Sequence, residues 1–342
     1  MTQIEDIYKL SPMQEGMFFH SLYDDHSQAY ITQATFTLSG DFYPQAFAQA
    51  WQQVLDRHPV LRTSLIWEGV DEPYQIVQFG VMIAVSEFDW REDGGARLAA
   101  FLAEDRAKPF DLAVPPLMRV AVIRVKNDEY RAVWTFHHLL LDGWSIPIVI
   151  KELFTFYQAA ARGTEAVLPE ARPYGEYSDW LAGQDMDKAE AFWHKQLSGF
   201  EVPTPLPYDK ETGGEAGFAR FSERLSASLT DKLVAFARKC RVTPNTLFQG
   251  AWALLLSRYS GEEDVLYGTT VSGRPAELPG VETMVGLFIN TLPVRLIASG
   301  DAVIGPWLRK IQTLLAELRQ YEYSPLVKVQ AWSEIPRGTS LF

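Results

Sequence analysis

The chain lacks several features that would point to common classes of protein. Cys240 is the only cysteine, so the chain can form no internal disulfide and no thiolate metal cluster. The 31 basic residues are outnumbered by 43 acidic ones, giving a net charge of −12, and they form no cluster, so we expect no nucleic-acid-binding surface. Apolar runs such as Ile146–Ile150 are far shorter than the ~20 residues that span a bilayer, and the N-terminus has no secretory signal. We therefore expect a cytoplasmic protein without a membrane segment.

The chain also has no glycine-rich phosphate loop after any predicted strand, so a nucleotide site is not expected. It contains instead an irregular mixture of strand and helix patterns, which predicts an α+β fold of a sheet packed against helices. Leu117–Val125 and Tyr130–His137 are predicted to be paired strands, and Phe218–Leu225 a further strand. Trp144–Ala161 and Pro244–Tyr259 have the periodicity and the end signals of helices.

Two stretches rich in proline or glycine, 168–173 and 202–217, indicate weaker packing along the chain. A length of 342 residues is long for one compact unit, so two lobes are expected. We place the lobe boundary between these stretches, which predicts an N-terminal lobe at residues 1–180 and a C-terminal lobe at residues 181–342.

The most informative segment runs from Thr135 to Ser145 and contains His-His-Leu-Leu-Leu-Asp-Gly. A strand ends at His137 and His138, whose side chains face opposite ways, so only one of them can point into a given cavity. A histidine displayed at a strand end can act as a general base near neutral pH. Asp142 would not be buried in an apolar loop without a partner.

The residues alone leave the role of this segment open. A packed histidine pair with a helix-capping aspartate explains it about as well as catalysis does. A metal site is weaker because no third and fourth ligand stand at suitable spacing. A Ser-His-Asp hydrolase is also weaker because the chain has no Gly-x-Ser-x-Gly element.

Six segments, in order along nearly the whole chain, resemble the core motifs of condensation domains of non-ribosomal peptide synthetases. They are Ser11–His20 (SPMQEGMFFH), Arg57–Thr63 (RHPVLRT), His137–Ser145 (HHLLLDGWS), Tyr174–Trp180 (YGEYSDW), Val285–Arg295 (VGLFINTLPVR) and Tyr321–Leu326 (YEYSPL). The resemblance implies two chloramphenicol acetyltransferase-like lobes arranged as a V with the active site at their junction. The family's domains are longer than this chain, so we expect the C-terminal lobe to be truncated.

The resemblance implies amide-bond formation in a multidomain enzyme of antibiotic biosynthesis. The amine of an acceptor aminoacyl thioester attacks a donor acyl or peptidyl thioester. No cofactor is expected in the domain itself, because phosphopantetheine arms are delivered by donor and acceptor carrier proteins. Adenylation and epimerisation domains of the same assembly line are the expected neighbours.

Carried over by position, His138 is the catalytic residue, either as general base or as a group that positions the amine. His137 is expected to be structural. Asp142 is expected to hold the loop through a salt bridge to an arginine, with Arg62 of the second motif as the candidate. Gly143, Trp144 and Asn290 are expected to line the substrate tunnel.

Some alternatives share the motif. An epimerisation domain has the same fold, although its first motif differs from Ser11–His20. A coenzyme A-dependent acyltransferase would use the same chemistry at His138, and an inactive module would only recruit carriers or other partners. The sequence at Leu139–Leu141 and the Ser-Pro-Met-Gln start of the first motif resemble those of the subtype that takes a D-configured donor.

Overall fold

The structure is a computed structural model that describes residues 3–23, 29–93, 96–206, 221–336 and 338–342. The chain divides into two compact units. The first comprises Met1–Gln184 and Ser272–Ile289, and the second Asp185–Val271 and Asn290–Phe342. The functional assignment of residues 1–180 and 181–342 to two lobes stays a prediction. The sequence did not predict that residues 272–289 return to the first unit.

The described part of the first unit mixes short strands with helices. Its elements are β1 (Ile4–Lys9), α1 (Pro12–Tyr23), β2 (Ile31–Ser39), α2 (Pro44–Arg57), β3 (Thr63–Ile66), β4 (Tyr74–Gln78), β5 (Val85–Asp89), α3 (Leu98–Ala107), β6 (Met118–Arg124), β7 (Glu129–His137), α4 (Ser145–Arg162) and α5 (Gly175–Ala182). Single 3₁₀ turns lie at Pro59–Arg62, Arg91–Asp93 and Val281–Thr283. The predicted strand pair β6–β7 and the helix α4 are present, and Gly163 ends α4 in the left-handed conformation.

The sheet that carries the histidine motif has the strand order β2-β7-β6-β5. Strand β7 is central and pairs antiparallel with both neighbours, with Ile31 opposite His137 and Met118 opposite Phe136. Its last six residues are buried, so the strand ends inside the core, at His137. A second sheet has the order β1-β4-β3.

Helices α2 and α4 pack on each other in the core of the first unit. The face of α2 that the sequence predicts to be apolar is buried, including Phe47, Trp51 and Val54 at 0% exposure. Since the buried side chains recur three and four positions apart, this one face covers the core. This helix layer lies against β7, where the ring centroids of Trp51 and Trp134 are 5.1 Å apart.

The second unit has fewer strands. Its described elements are α6 (Met186–Leu197), α7 (Ala227–Cys240), α8 (Pro244–Ser260), β8 (Asp264–Val271), β9 (Asn290–Ile297), α9 (Ile304–Leu318), a 3₁₀ turn (Arg319–Tyr321) and α10 (Leu326–Ala331). Strands β8 and β9 pair antiparallel, and Thr243 caps α8 as predicted. The predicted strand at 218–225 is wrong where it can be judged. Residues 221–225 have no regular structure, and 218–220 lie outside the described residues.

None of the helices in the described ranges combines the length and the apolar character that crossing a bilayer requires.

Candidate active site

The backbone N–H groups of the two histidines are held by the residues that directly precede β6 and β2. The His137 N–H donates to the Leu117 carbonyl at 2.9 Å, and the His138 N–H donates to the Tyr30 carbonyl at 2.7 Å. The Leu140 N–H then donates back to the His137 carbonyl at 3.1 Å and turns the chain out of the sheet. The end of β7 is thus fixed from two sides and begins a tight loop.

The His137 side chain is buried and engaged at both ring nitrogens. Its Nδ1 accepts the Leu139 N–H at 3.2 Å, and its Nε2 lies 3.5 Å from Ser21 Oγ, which itself donates to the Met17 carbonyl. These contacts require a neutral ring that carries its proton on Nε2. Burial, with a smaller contribution from the charge of His138, lowers the pKa of His137 to about 4. His137 is therefore a neutral, packed residue at physiological pH.

The His138 side chain, unlike that of His137, is only partly buried. Its Nδ1 is buried and has no hydrogen-bond partner among the described residues. A buried polar atom without a partner is uncommon and calls for an explanation. An imidazole held by its backbone but not by its ring can exchange a proton or a hydrogen bond with a bound substrate.

Asp142 is fully buried and is the main anchor of the loop. Its Oδ1 accepts the N–H groups of Trp144 at 3.1 Å and Ser145 at 3.0 Å, which caps the start of α4. Its Oδ2 accepts the Phe288 N–H at 3.1 Å. Arg274 Nη2 lies 3.4 Å from Oδ1 and supplies the opposite charge. The capping and salt-bridge interpretations of Asp142 therefore both apply.

The loop is also bound to the segment around Gly286. The Asp142 N–H donates to the Gly286 carbonyl at 3.0 Å, and Ser145 Oγ lies 2.9 Å from the same carbonyl and 3.1 Å from the Gly286 nitrogen. The Tyr174 hydroxyl donates to the Leu287 carbonyl at 2.6 Å. Segments more than 140 residues apart in sequence are thus joined by direct hydrogen bonds.

The expectation that Arg62 pairs with Asp142 is wrong. Arg62 forms a bidentate ion pair with Glu5 and donates to the carbonyls of Gln78 and Leu55, so its donors are used elsewhere in the first unit. Arg274 takes its place at Asp142 and also donates to Ser145 Oγ at 3.1 Å. A guanidinium has five N–H donors, and Arg62 uses all of them, two on the Glu5 carboxylate and three on the carbonyls of Leu55, Asp56 and Gln78, so none is left for Asp142.

Arg274 is the functional residue that the sequence did not reveal. It stands between Gly273 and Pro275, shortly after β8, and its guanidinium lies 4.0 Å above the Phe288 ring. An isolated arginine in an otherwise uncharged stretch was the signal that could have indicated a buried partner. The distance of 132 residues to Asp142 hid that partner.

The predicted tunnel residues lie in different surroundings. Gly143 and Trp144 are exposed, and the Trp144 side chain is 64% accessible. Asn290 is buried in the second unit, where its amide donates to the Glu322 and Ser324 carbonyls at 2.8 Å each. A role of these three residues in substrate binding stays a prediction.

Within the described ranges, no three His, Cys, Asp or Glu side chains come together in a way that could hold a metal ion.

Comparison with known proteins decides the family. The family model of the condensation domain matches residues 4–342. This chain belongs to the condensation domain family. Condensation domains of non-ribosomal peptide synthetases are amide-bond-forming enzymes of the acyltransferase type, so the predicted family and class of enzyme are confirmed.

Curated relatives agree with this assignment. The chain is 49% identical over 99% of its length to one of the linear gramicidin synthase subunits of Brevibacillus parabrevis. It is 40% identical over 98% of its length to bacitracin synthase 3 of Bacillus licheniformis. It spans 4% and 5% of those proteins, respectively.

The fold agrees as well. A solved four-domain nonribosomal peptide synthetase bound to AMP and glycine matches 97% of this chain and 25% of its own, with a TM-score of 0.81 at 20% identity. The predicted mixed helix-and-strand, chloramphenicol acetyltransferase-like fold class is thereby confirmed.

Proposed function

We propose that this condensation domain joins a donor acyl or peptidyl thioester to the amine of an acceptor aminoacyl thioester, both carried on phosphopantetheine arms. The amine nitrogen attacks the thioester carbonyl carbon, the carbon–sulfur bond breaks, and the donor carrier leaves as a free thiol. The proton lost by the amine balances the proton gained by that thiol. The observation that carries the proposal is His138, the ring without a partner at Nδ1 on a backbone fixed from both sides.

His138 has two roles open to it in this reaction. As a general base it would take a proton from the acceptor amine as the amine attacks, and that proton would then pass to the departing thiolate, a role that imidazoles commonly fill in enzymes. As a positioning group it would hold the amine by a hydrogen bond and stabilise the charged intermediate. Both roles need the loop that Asp142 holds, and neither needs a metal or a bound cofactor.

The partners follow from this reaction. We expect a donor and an acceptor carrier protein, with adenylation and epimerisation domains as neighbours in the same polypeptide assembly. The cytoplasmic location also stays a prediction. Since the chain has a net charge of −12, docking of acidic carriers would depend on local basic or apolar contacts rather than on long-range attraction.

The test loads two carrier proteins with aminoacyl groups, adds the chain, and measures dipeptidyl thioester by mass spectrometry. His138→Ala is expected to lose at least about 100-fold in rate, the typical contribution of a positioned acid–base group. His194→Ala is the matched control, because His194 is exposed on α6 and its change is expected to leave the rate unchanged. A wild-type rate for folded His138→Ala, with both carriers still bound, would disprove the role of His138.

The same assay separates the alternative functions. A coenzyme A thioester offered in place of the donor carrier tests a free-standing acyltransferase. Isomerisation at the α-carbon of one loaded carrier tests epimerisation. Binding of carriers without any product would indicate a recruitment module. We expect product only with two loaded carriers.

We further propose that the donor is D-configured at its C-terminal residue. The proposal is based on the sequences at Leu139–Leu141 and at the Ser-Pro-Met-Gln start, which resemble those of the subtype that takes such donors. Matched donors that differ only at that α-carbon are expected to react faster in the D form. Equal rates, or a faster L donor, would contradict the assignment.

A further inference from the structure

A pair of buried glutamine side chains lies directly behind the histidine loop. Gln14 of α1 and Gln75 of β4 are each 1% exposed. Gln14 Nε2 donates to Gln75 Oε1 at 2.9 Å, and Gln75 Nε2 donates to Gln14 Oε1 at 3.0 Å. Buried amides are expensive to desolvate, so a closed pair of this kind is kept only where its hydrogen bonds are satisfied.

All the hydrogen-bonding capacity of Gln14 is used. Its second Nε2 proton goes to the Leu139 carbonyl at 2.9 Å, and its Oε1 also accepts the Ser11 N–H at 2.8 Å. Gln75 Nε2 donates in addition to the Lys9 carbonyl at 3.1 Å. An amide has two donor protons and one acceptor oxygen with two lone pairs, so Gln14 is saturated and its orientation is unique.

The contact to Leu139 falls on the residue that follows His138. On the other side, the His138 N–H is bound to Tyr30, and the Leu139 N–H is bound to His137 Nδ1. The peptide groups before and after His138 are thus fixed, and Gln14 fixes the next one through its carbonyl. The peptide group between Leu139 and Leu140 also carries the N–H that donates to the His137 carbonyl at 3.1 Å and closes the turn around His138. A rotation of this peptide group would weaken that bond and shift the backbone that carries the His138 ring.

We propose that Gln14, supported by Gln75, is a positioning residue that sets the direction of the His138 imidazole through the Leu139 carbonyl. This inference rests on the proposed function of His138. A displacement of about 1 Å of a reacting group can cost on the order of 100-fold in rate. Gln14→Leu keeps the size of the side chain and removes its hydrogen bonds, so we expect kcat to fall about 10- to 100-fold while the KM for each carrier changes less than about twofold.

The matched control is Gln78→Leu. Gln78 lies on β4, three residues from Gln75, and its side chain donates to Ser64 Oγ at 2.8 Å without reaching the loop. Its loss removes a comparable hydrogen bond in the same sheet, so it is expected to leave kcat unchanged. Gln75→Leu leaves the Gln14–Leu139 contact in place and removes its support, so we expect a smaller loss of kcat with the same sign.

The second readout is the NMR spectrum of the 342-residue chain labelled at histidine. The chain has six histidines, so the His138 signals can be assigned by their loss in His138→Ala. In Gln14→Leu we expect the chemical shifts of the His138 ring to change, while those of exposed His194 stay as in the wild type. Gln78→Leu should alter neither set.

The outcomes separate the two proposals. If His138→Ala retains the wild-type rate, the proposed function fails, and the His138 signals in Gln14→Leu still test the positioning. If His138→Ala loses the rate while folded Gln14→Leu retains both kcat and the His138 signals, the positioning role is overturned and the function stands. If Gln14→Leu does not fold, Gln75→Leu decides by the same two measurements. A change in melting temperature alone would assign the pair to packing and overturn the proposal.

Discussion

Asp142→Asn keeps the shape of the buried anchor and removes its charge. The amide can present its oxygen to Trp144 and Ser145, whose N–H groups both point at Oδ1. The amide nitrogen then takes the place of Oδ2, which accepts the Phe288 N–H at 3.1 Å in the wild type. Two hydrogen-bond donors would face each other there, and the Phe288 N–H would lose its acceptor. Arg274 is meanwhile left without its counter-charge, although only 9% of its side chain is accessible.

These changes act in the same direction, so a large loss is expected. Breaking a buried pair by removing one partner costs about 3–5 kcal/mol, because the remaining charge stays buried. The first unit has about 200 residues, for which 1 kcal/mol corresponds to roughly 2–4 °C in melting temperature. We therefore expect Asp142→Asn to melt roughly 6–20 °C below the wild type, and condensation to fall with it.

A double-mutant cycle identifies the partner. Asp142→Asn and Arg274→Met are expected to be coupled by about 1–3 kcal/mol, because once one charge is gone the loss of the other is less harmful. Asp142→Asn and Arg62→Met are expected to add within about 0.5 kcal/mol, because Arg62 belongs to the ion pair with Glu5. Unfolding in urea, followed by tryptophan fluorescence and circular dichroism, measures both cycles. Coupling to Arg62 instead of Arg274, or an unchanged melting temperature for Asp142→Asn, would refute the arrangement.

Two further predictions concern stability and fit. Because the pKa of folded His137 is lowered to about 4 from an ordinary 6.5, its contribution is complete above pH 6.5 and is lost as the pH falls toward 4. Urea titrations between about pH 4 and 7 give the free energies of unfolding of the wild type and of His137→Gln. The difference between the two should therefore shrink by about 3 kcal/mol from neutral to acid pH, and parallel pH profiles would contradict this. Gly286→Ala should lower the melting temperature, because an added Cβ would lie 2.0 Å from the Tyr174 ring. An added Cβ at Gly143 would meet no described atom within 4 Å, so Gly143→Ala should melt at the same temperature as the wild type but catalyse condensation more slowly. A stable Gly286→Ala, or a fully active Gly143→Ala, would count against these predictions.

The sequence was sufficient for the parts of the site that depend on local chemistry. Strand β7, the loop after it and the end of α4 follow from periodicity and from residues a few positions apart. The expectation that a buried Asp142 has a partner follows from the cost of an unpaired charge, and its role in holding the loop was implied by the family resemblance. Its partner did not follow, because Arg62 and Arg274 are chemically equal donors and only tertiary contacts choose between them.

The same limit applies to the strand predicted at 218–225 and to residues 272–289. A short alternating pattern does not form a strand unless a neighbouring edge is available to pair with it, and residues 221–225 remain without one among the described strands. Residues 272–289 carry no signal of which unit they join. Their membership is decided by Arg274, Gly286 and Phe288, each of which bonds to the loop between His138 and α4.

The glycines near the histidine motif differ in whether packing requires a glycine at their position. Gly273 has a positive φ and an added Cβ would lie 1.7 Å from the Phe288 carbonyl oxygen, and Gly286 has no room beside Tyr174, so packing alone explains both. Gly143 differs, because its φ is not in the left-handed region and an added Cβ would meet no described atom within 4 Å. The fold of the described residues would therefore accept a side chain directly beside Asp142 and Trp144. Packing does not require a glycine there, so Gly143→Ala tests the prediction, drawn from the family resemblance, that the acceptor arm passes Gly143 on its way to His138.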